Sequence, residues 1–280
     1  MHPILIADSG STKTQWCLLS GGKKKMISTQ GISPYFLNDE SLGAILRNEL
    51  APKMGTEQPE EIFYYGTGCS NADNISLVKR GLKKIFPKAK INVQHDLMGA
   101  ARALCGEGKG IACILGTGSN SCYFNGKKIV KNSPGLGFIL GDEGSGSHLG
   151  KKVIQYYLYN TFDAELIEKF ESKYPGDASE ILDNVYKRPL PNRYLAEYVS
   201  FLWENRGHYM IENIIEDSFN DFFFTHIYKY RESWTLPINF VGSIAHGFKD
   251  VLARMCSDFE LTLGTVIKDP MEGLIRYHKK

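Results

Sequence analysis

Short apolar runs alternate with helical patterns over the first 105 residues of the chain. Brief runs bounded by turn residues predict strands, and apolar side chains three or four residues apart predict helices. By these rules strands are expected at 4–7, 14–19, 62–65 and 91–93, and helices at 39–50, 75–86 and 97–104. Strands that alternate with helices predict an α/β fold.

A second phase of the same kind opens after the glycine-rich segment 106–110. Strands are expected at 111–115, 122–124 and 238–241. Helices are expected at 148–160 and 247–256, with helical patterns dominating up to about 230 and a short helix at 270–277. We expect that last helix to return to the first lobe.

The two phases echo each other in sequence. When Gly10 is aligned with Gly118, Ser9 is aligned with Thr117 and Trp16 with Phe124. Each copy then reads as strand, small-residue turn, strand and Gly-Lys-Lys turn. A repeat of this kind indicates a duplicated architecture. We therefore predict two lobes, 1–105 and 106–280, with a helical insertion in the second.

Composition narrows the classes of function. The 280 residues carry 33 basic and 31 acidic side chains, a net charge of +2, which gives no footprint for nucleic acid or membrane. None of the six cysteines forms a Cys-x-x-Cys pair, so neither a zinc site nor a disulfide is expected. We expect the protein to work in a reducing cytoplasm. The N-terminus lacks the pattern of a signal peptide, and no run is long enough for a membrane span.

Two hairpin turns are rich in glycine and hydroxyl side chains. The first is Asp8–Thr14 and the second is Leu115–Ser119. Neither fits a P-loop or the dinucleotide-binding fingerprint. A single such turn is more often an ordinary hairpin. Two matched turns favour phosphate binding, because backbone N–H groups in such turns converge on phosphate oxygens.

Two aspartates at predicted strand ends are candidates for chemistry. Asp8 beside the first turn is placed to organise Mg²⁺ through water, or simply to bond its own backbone. Two interpretations of Lys13 fit the sequence equally well: a counter-charge for phosphate, or a lysine that is merely exposed. Asp96 is either a helix N-cap or a general base that accepts a hydroxyl proton. His95 beside it is expected to point elsewhere and to be structural.

The segment 135–146 contains five glycines in twelve residues, which is costly in backbone entropy unless a tight geometry is needed. Its apolar residues argue against a flexible linker. Within it, Asp142 and Glu143 are candidates to bind sugar hydroxyls. A further turn, Gly242-Ser243, follows an apolar strand and could lie flat against a purine.

Together these motifs resemble the actin-like sugar kinases, specifically the N-acetylglucosamine kinase group, which is related to the benzoyl-CoA reductase activator-type ATPases. The collinear match runs from about residue 4 to 250. The resemblance implies ATP with Mg²⁺, Asp8 at the metal and Asp96 as the base. It assigns ATP phosphates to Ser9, Gly10, Ser11, Thr12, Lys13, Gly116, Thr117, Gly118 and Ser119, adenosine to Gly242 and Ser243, and the sugar to Ser33, Thr117, Gly135, Asp142, Glu143 and Gly146.

The chain departs from the family pattern at Ser33, where the family has a sugar-contacting Asn. The resemblance implies two lobes, an ATP and substrate cleft between them, and a kinase that phosphorylates an amino sugar such as N-acetylglucosamine. An activator-type ATPase and a nucleotide-dependent sensor without sugar kinase activity are the alternatives. The expected partner is a small sugar, without nucleic acid or membrane, and a homodimer is compatible with the family.

Overall fold

The computed structural model describes residues 2–10, 12–174 and 177–279. The chain divides into two compact units, each with its own hydrophobic core and one five-stranded sheet. The expected phosphate-binding residue Ser11 lies outside the described residues. The first unit comprises Met1–Gly108, Gly126–Ile129 and Asp269–Lys280, and the second comprises Lys109–Asn125 and Val130–Lys268.

The sheet of the first unit has the order β3-β2-β1-β4-β5. Its strands are β1 (Ile4–Ser9), β2 (Lys13–Ser20), β3 (Lys23–Gln30), β4 (Glu61–Gly66) and β5 (Lys90–His95). Strand β1 runs antiparallel to β2 and parallel to β4, and β4 runs parallel to β5. Because the carboxyl ends of β1, β4 and β5 meet at one edge, the register places Ser9 beside Gly66 and Gly66 beside His95.

Helices cover both faces of this sheet. The helices of the first unit are α1 (Asp39–Ile45), continued by a π-helical turn (Leu46–Leu50) into α2 (Ala51–Met54), α3 (Ala72–Ile85), α4 (Asp96–Cys105) and the C-terminal helix (Met271–His278). The core against α1 and α3 includes Trp16 and Tyr64, both fully buried. The indole N–H of Trp16 donates to Thr29 Oγ1 at 3.0 Å, so burial leaves it satisfied.

The C-terminal helix packs against α4 and β1. The crossing is close, since a Cβ added at Gly273 would lie 2.4 Å from the carbonyl oxygen of Ala103 in α4. At its end His278 stacks on Phe63 with ring centroids 3.9 Å apart, and its Nε2 lies 2.8 Å from the Tyr65 hydroxyl. The last residues of the chain thus complete the first unit.

The second sheet has the order β10-β9-β6-β7-β8. Its strands are β6 (Gly110–Leu115), β7 (Ser119–Phe124), β8 (Ile129–Ser133), β9 (Ile238–Val241) and β10 (Leu263–Ile267). Strand β6 runs antiparallel to β7 and parallel to β9, and β9 runs parallel to β10. Read from β8 to β10, this order repeats that of the first sheet. The repetition confirms the predicted α/β class and the duplication.

The register of the sequence echo was wrong. Four residues separate the paired Ser9 and Thr14 in the first hairpin, but three separate Leu115 and Ser119 in the second. Gly10 therefore corresponds to Gly116, not to Gly118. Each of the two glycines follows its first strand and donates its N–H to the carbonyl that closes the turn, at 3.0 Å in both hairpins.

Helices make up most of the second unit. The apolar stripe predicted on its longest helix is fully buried, including Ile215 and Phe219. No helix in the described part of the chain is both long and apolar enough to cross a membrane. The helices are α5 (Gly137–Leu140), α6 (Gly146–Leu158), α7 (Ala164–Lys173), α8 (Ala178–Tyr186), α9 (Pro191–Glu197), α10 (Val199–Glu204), α11 (Tyr209–Thr225), α12 (Ser243–Gly247) and α13 (Lys249–Asp258), with 3₁₀ turns at Ile227–Lys229 and Arg231–Trp234.

Candidate functional site

The first glycine turn is braced from inside by Ser9. The Ser9 side chain is 1% exposed, and its hydroxyl lies 2.7 Å from Thr14 Oγ1 and 3.1 Å from the carbonyl oxygen of Ile32, to which it donates. This hydroxyl is engaged within the fold, so the side chain supports the turn. Gly10, Thr12 and Lys13, in contrast, are exposed where a ligand can reach them.

A group of carboxylates lies at the carboxyl edge of the first sheet. Burial, followed by the negative charges of Asp96 and Asp269, raises the pKa of Asp8 to about 7, and Lys13 only partly offsets them. Asp8 ends β1, Asp96 begins α4, and Asp269 precedes the C-terminal helix, where its carboxylate accepts the Met271 N–H at 3.1 Å. The site therefore holds more negative charge than the protein neutralises.

Asp96 lies at the first position of α4, and the N-cap is His95. The Asp96 Oδ1 atom accepts the Leu97 N–H at 2.7 Å and lies 2.9 Å from His95 Nδ1. The prediction that His95 points away from Asp96 was wrong, because the extended backbone of the cap turns the imidazole back onto the next side chain. Burial lowers the pKa of His95, but the hydrogen bond to Asp96 and the charge of Asp96 outweigh it and raise the pKa overall.

Ser33 lies in a turn of the first unit, where its carbonyl accepts the Phe36 N–H at 3.0 Å. Its side chain is 6% exposed, whereas Tyr35 and Phe36 are exposed beside it. Tyr35 packs on Gly68 of the loop after β4, where an added Cβ would lie 3.0 Å from the Tyr35 ring. The turn thus presents aromatic rings rather than an amide to solvent.

The second glycine turn, Gly116–Gly118, is anchored by the start of α6. The N–H groups of Gly146 and Ser147 donate to the carbonyl oxygens of Gly116 and Thr117, at 2.8 and 3.0 Å. In the described part of the chain the N–H groups of Thr117 and Gly118 donate no hydrogen bond within the protein. Backbone amides that keep their hydrogen-bonding capacity in a glycine turn can form an anion-binding concavity.

Asp142 joins the glycine-rich segment to this turn. Its carboxylate accepts the Ser119 N–H at 3.1 Å, and a Cβ at Gly118 would lie 3.0 Å from the same oxygens. The residue is 8% exposed and its backbone is left-handed, with φ 59°. Burial raises the pKa of Asp142, the Ser119 N–H lowers it, and neighbouring Glu143 raises it further. Asp142 therefore holds the turn in place, whatever else it binds.

Glu143 and His148 fix the rest of the segment. Glu143 Oε2 lies 3.3 Å from His226 Nε2. His148 Nδ1 accepts the Gly144 N–H at 3.3 Å and lies 2.6 Å from the Ser218 hydroxyl on α11. Gly135 is exposed, and a Cβ there would lie 3.0 Å from the Ser119 carbonyl oxygen. These contacts hold the end of the segment, from Asp142 to Gly144. Leu136, Ile139 and Leu140, the apolar residues that argued against a linker, are exposed.

Gly242 and Ser243 follow β9 and begin α12. Gly242 adopts φ 131°, and an added Cβ would lie 2.0 Å from the carbonyl oxygen of Leu115. Only glycine fits this position, since both the conformation and the space exclude a side chain. The turn meets the end of β6, from which the second phosphate turn begins.

The residues present fit ATP and Mg²⁺. Ser119 Oγ, at the end of the second turn, is buried without a hydrogen-bond partner in the described part of the chain. The excess negative charge around Asp8 suits a cation. Among the described residues no group of three His, Cys, Asp or Glu side chains could by itself hold a metal. Mg²⁺ would therefore be held by Asp8 with water and nucleotide oxygens, its usual mode beside phosphates.

Sequence reasoning missed two residues of this site. Asp269 is 261 positions away from Asp8, and its Asp-Pro signal indicated only the start of a helix. His95 was discounted because the local pattern did not show which way its ring turns. The expected residues divide between the units. The first holds Asp8, Ser9, Gly10, Thr12, Lys13, Ser33 and Asp96, and the second holds Gly116, Thr117, Gly118, Ser119, Gly135, Asp142, Glu143, Gly146, Gly242 and Ser243.

Comparison with known structures identifies the class. A protein from Porphyromonas gingivalis, proposed to be an N-acetylglucosamine kinase, is 40% identical over 98% of both chains, with a TM-score of 0.94. A protein from Chromobacterium violaceum with the same proposed activity is 15% identical over 99% of both chains, with a TM-score of 0.74. A ROK family glucokinase from Streptomyces griseus, solved with glucose and AMPPNP, is 14% identical over 99% of this chain and 98% of its own, with a TM-score of 0.55. The last two show the fold alone.

The duplicated sheets with their glycine turns therefore define an actin-like ATPase fold of the kind that sugar kinases use. No family model and no curated protein matches the chain. The extent of identity to the P. gingivalis protein nevertheless shows the family. The chain belongs to the N-acetylglucosamine kinase-like sugar kinases, as the motifs indicated.

Proposed function

We propose that this protein transfers the γ-phosphate of ATP to a hydroxyl group of an amino sugar such as N-acetylglucosamine. The observation that carries the proposal lies at the carboxyl edge of the first sheet. There the exposed phosphate turn after β1 shares an edge with a carboxylate, Asp96, that keeps one oxygen without a hydrogen bond in the described part of the chain. In parallel α/β sheets ligands bind outside this edge.

Asp96 is the proposed base. Its Oδ2 accepts the proton of the attacking sugar hydroxyl, while Oδ1 is held by the backbone of α4. The proposed phosphate ligands are the amides of both turns, with the exposed Lys13 as counter-charge. Mg²⁺ at Asp8 would neutralise charge on the phosphoryl oxygens. The protein's own contribution is to orient the hydroxyl and to place donors where negative charge develops.

The sugar ligands proposed from the family are Asp142, Glu143, Gly135, Gly146 and Thr117. Support comes from the contacts that hold the Asp142 and Glu143 side chains, because preorganised groups lose little entropy on binding. Ser33 stands where the family has Asn, and the exposed rings of Tyr35 and Phe36 lie beside it. We infer that the sugar contacts at this turn differ from those of the family. The adenine is proposed to lie on Gly242-Ser243.

The test is ADP release from Mg²⁺-ATP, coupled to a spectrophotometric readout, across five sugars. The panel is N-acetylglucosamine, glucosamine, N-acetylmuramic acid, N-acetylmannosamine and glucose. The proposal expects strong stimulation by an acetamido sugar and little by glucose. A steady rate of hydrolysis that no sugar changes would contradict it and favour an activator-type ATPase. Nucleotide binding without turnover would favour a sensor.

The activator alternative requires exposed cysteines that bind a cluster shared by two subunits. Five of the six cysteines are buried, and the sixth, Cys105, is half-buried. The structure therefore provides no observation that favours it.

A further inference from the structure

His95 sits between the last strand of the first sheet and the helix that carries Asp96. It ends β5, and its extended backbone (φ −64°, ψ 147°) makes it the N-cap of α4. Serine, threonine, aspartate and asparagine are the usual residues at this position. A histidine here brings a ring nitrogen against the side chain that follows it. The side chains of His95 and Asp96 are 29% and 24% exposed, so both are partly shielded from water.

Two nitrogen atoms, one from an imidazole and one from the backbone, meet at one carboxylate oxygen. His95 Nδ1 lies 2.9 Å from Asp96 Oδ1 and 3.2 Å from the Leu97 nitrogen, and the Leu97 nitrogen lies 2.7 Å from Asp96 Oδ1. One ring nitrogen cannot donate to Asp96 and accept from Leu97 at the same time. The Leu97 N–H has its shorter acceptor in the carboxylate. The assignment that satisfies both donors gives His95 Nδ1 a proton directed at Oδ1.

The consequence is an asymmetric carboxylate. With this proton assignment Oδ1 receives two hydrogen bonds, from a backbone amide and from the imidazole nitrogen 2.9 Å away, whereas Oδ2 receives none in the described part of the chain. A carboxylate held at one oxygen by two donors cannot rotate freely about its terminal torsion, which is otherwise broad. The free oxygen therefore keeps one direction.

The other groups that face Asp96 do not supply this restraint. Its charge acts on Asp8 from β1, on Tyr64 from β4 and on the Cys69 thiol. Asp8 is a like charge, and the other two are neutral groups whose pKa values burial raises. No lysine or arginine in the described part of the chain lies within 4.0 Å of Asp96. His95 is thus the side chain placed to orient this carboxylate.

We propose that His95 is a positioning residue that anchors Asp96 through Oδ1 and leaves Oδ2 to accept the proton of the substrate hydroxyl. The proposal rests on the proposed function, in which Asp96 is the base. It assigns to His95 a role in the chemical step and none in the binding of ATP.

The experiment compares wild type, Asp96→Asn, His95→Ala and His95→Asn in steady-state kinetics with Mg²⁺-ATP and the sugar that stimulates turnover most. His95→Ala removes the donor, and kcat is expected to fall roughly tenfold to a hundredfold, as for a misplaced catalytic group. The KM for ATP should stay within about twofold of wild type. In His95→Asn the amide nitrogen replaces Nδ1 as donor, and most of the lost kcat should return.

The outcomes separate the two proposals. Turnover retained by Asp96→Asn, or no sugar-dependent turnover in the wild type, refutes the base and with it the role of His95. Loss of turnover in Asp96→Asn together with a normal kcat in His95→Ala refutes the positioning role alone. Equal losses of kcat in His95→Ala and His95→Asn also refute the positioning role, because asparagine supplies a side-chain N–H donor and is itself a usual N-cap residue.

A readout without turnover keeps the proposal testable if His95→Ala does not fold. ¹⁵N spectra of histidine-labelled protein report which ring nitrogen of His95 carries the proton. The proposal expects a protonated Nδ1 whose signal shifts in Asp96→Asn. A deprotonated Nδ1 in the wild type at neutral pH would overturn it.

Discussion

Some residues of the motifs support the structure of the candidate site, and Asp142 is the clearest case. Asp142 is proposed above as a sugar ligand, and its carboxylate accepts the Ser119 N–H and lies against Gly118. Ser9 is similar, because it belongs to the phosphate motif but directs its hydroxyl into the fold. Some residues of a binding motif therefore stabilise the turn, and others are candidate ligands. A sequence pattern alone does not distinguish the two groups.

His148 provides a prediction at the scale of one residue. Burial, followed by the charges of Lys152 and Lys151, lowers the pKa of His148 to about 4. In the unfolded chain a histidine titrates near 6.5. Between these values the unfolded chain binds more protons than the folded one, so stability falls as pH drops from about 6.5 to 4. The loss is on the order of 3 kcal/mol for this group.

The measurement is urea denaturation of wild type and His148→Asn at pH 7 and pH 4.5. The Asn carbonyl can accept from Gly144 and Ser218 as Nδ1 does, but it does not titrate. The variant should lose about 2–3 kcal/mol less than wild type between the two pH values. His246→Asn, at an exposed position, is the matched control. Equal losses in wild type and His148→Asn would contradict the assignment.

At the scale of elements, most strands and helices could be read from their patterns, and the ones missed share a cause. The strands β3, β8 and β10 were not predicted. Of the eight residues of β3, only Ile27 and Thr29 are buried, because an edge strand with one covered face needs few apolar side chains. Such strands are specified by pairing with a neighbour, which the local sequence does not record.

The C-terminal helix gives the prediction at this scale. Gly273→Ala places a Cβ 2.4 Å from the Ala103 carbonyl oxygen, so the helix must move off α4. Overpacking of this kind costs about 1–3 kcal/mol. Thermal denaturation should show a lower melting temperature for Gly273→Ala than for Arg276→Ala, an exposed change on the same helix. A melting temperature equal to that of the wild type would contradict the close contact between Gly273 and the Ala103 carbonyl oxygen.

At the scale of the whole molecule, the duplication explains why the fold was predictable and the site only partly so. Two sheets of the same strand order each bring a glycine turn to the end of their first strand. The sequence shows these turns as two similar motifs, although the alignment of Gly10 with Gly118 was two residues away from the true correspondence. The contact of His95 with Asp96 depends on the direction of the imidazole side chain, which the motif does not encode. The effect of Asp269 on Asp8 depends on the C-terminal segment packing on the first unit, which the motif does not encode either.

Mass spectrometry of the product is the sharpest test of direct phosphoryl transfer with Asp96 as base. Wild type and Asp96→Asn are incubated with Mg²⁺-ATP and N-acetylglucosamine, and AMPPNP binding is measured on both as a control for folding. We expect a phosphorylated sugar from the wild type and none from Asp96→Asn, with AMPPNP binding retained in both proteins. ATP hydrolysis by the wild type without any phosphorylated sugar, or undiminished product from Asp96→Asn, would contradict it.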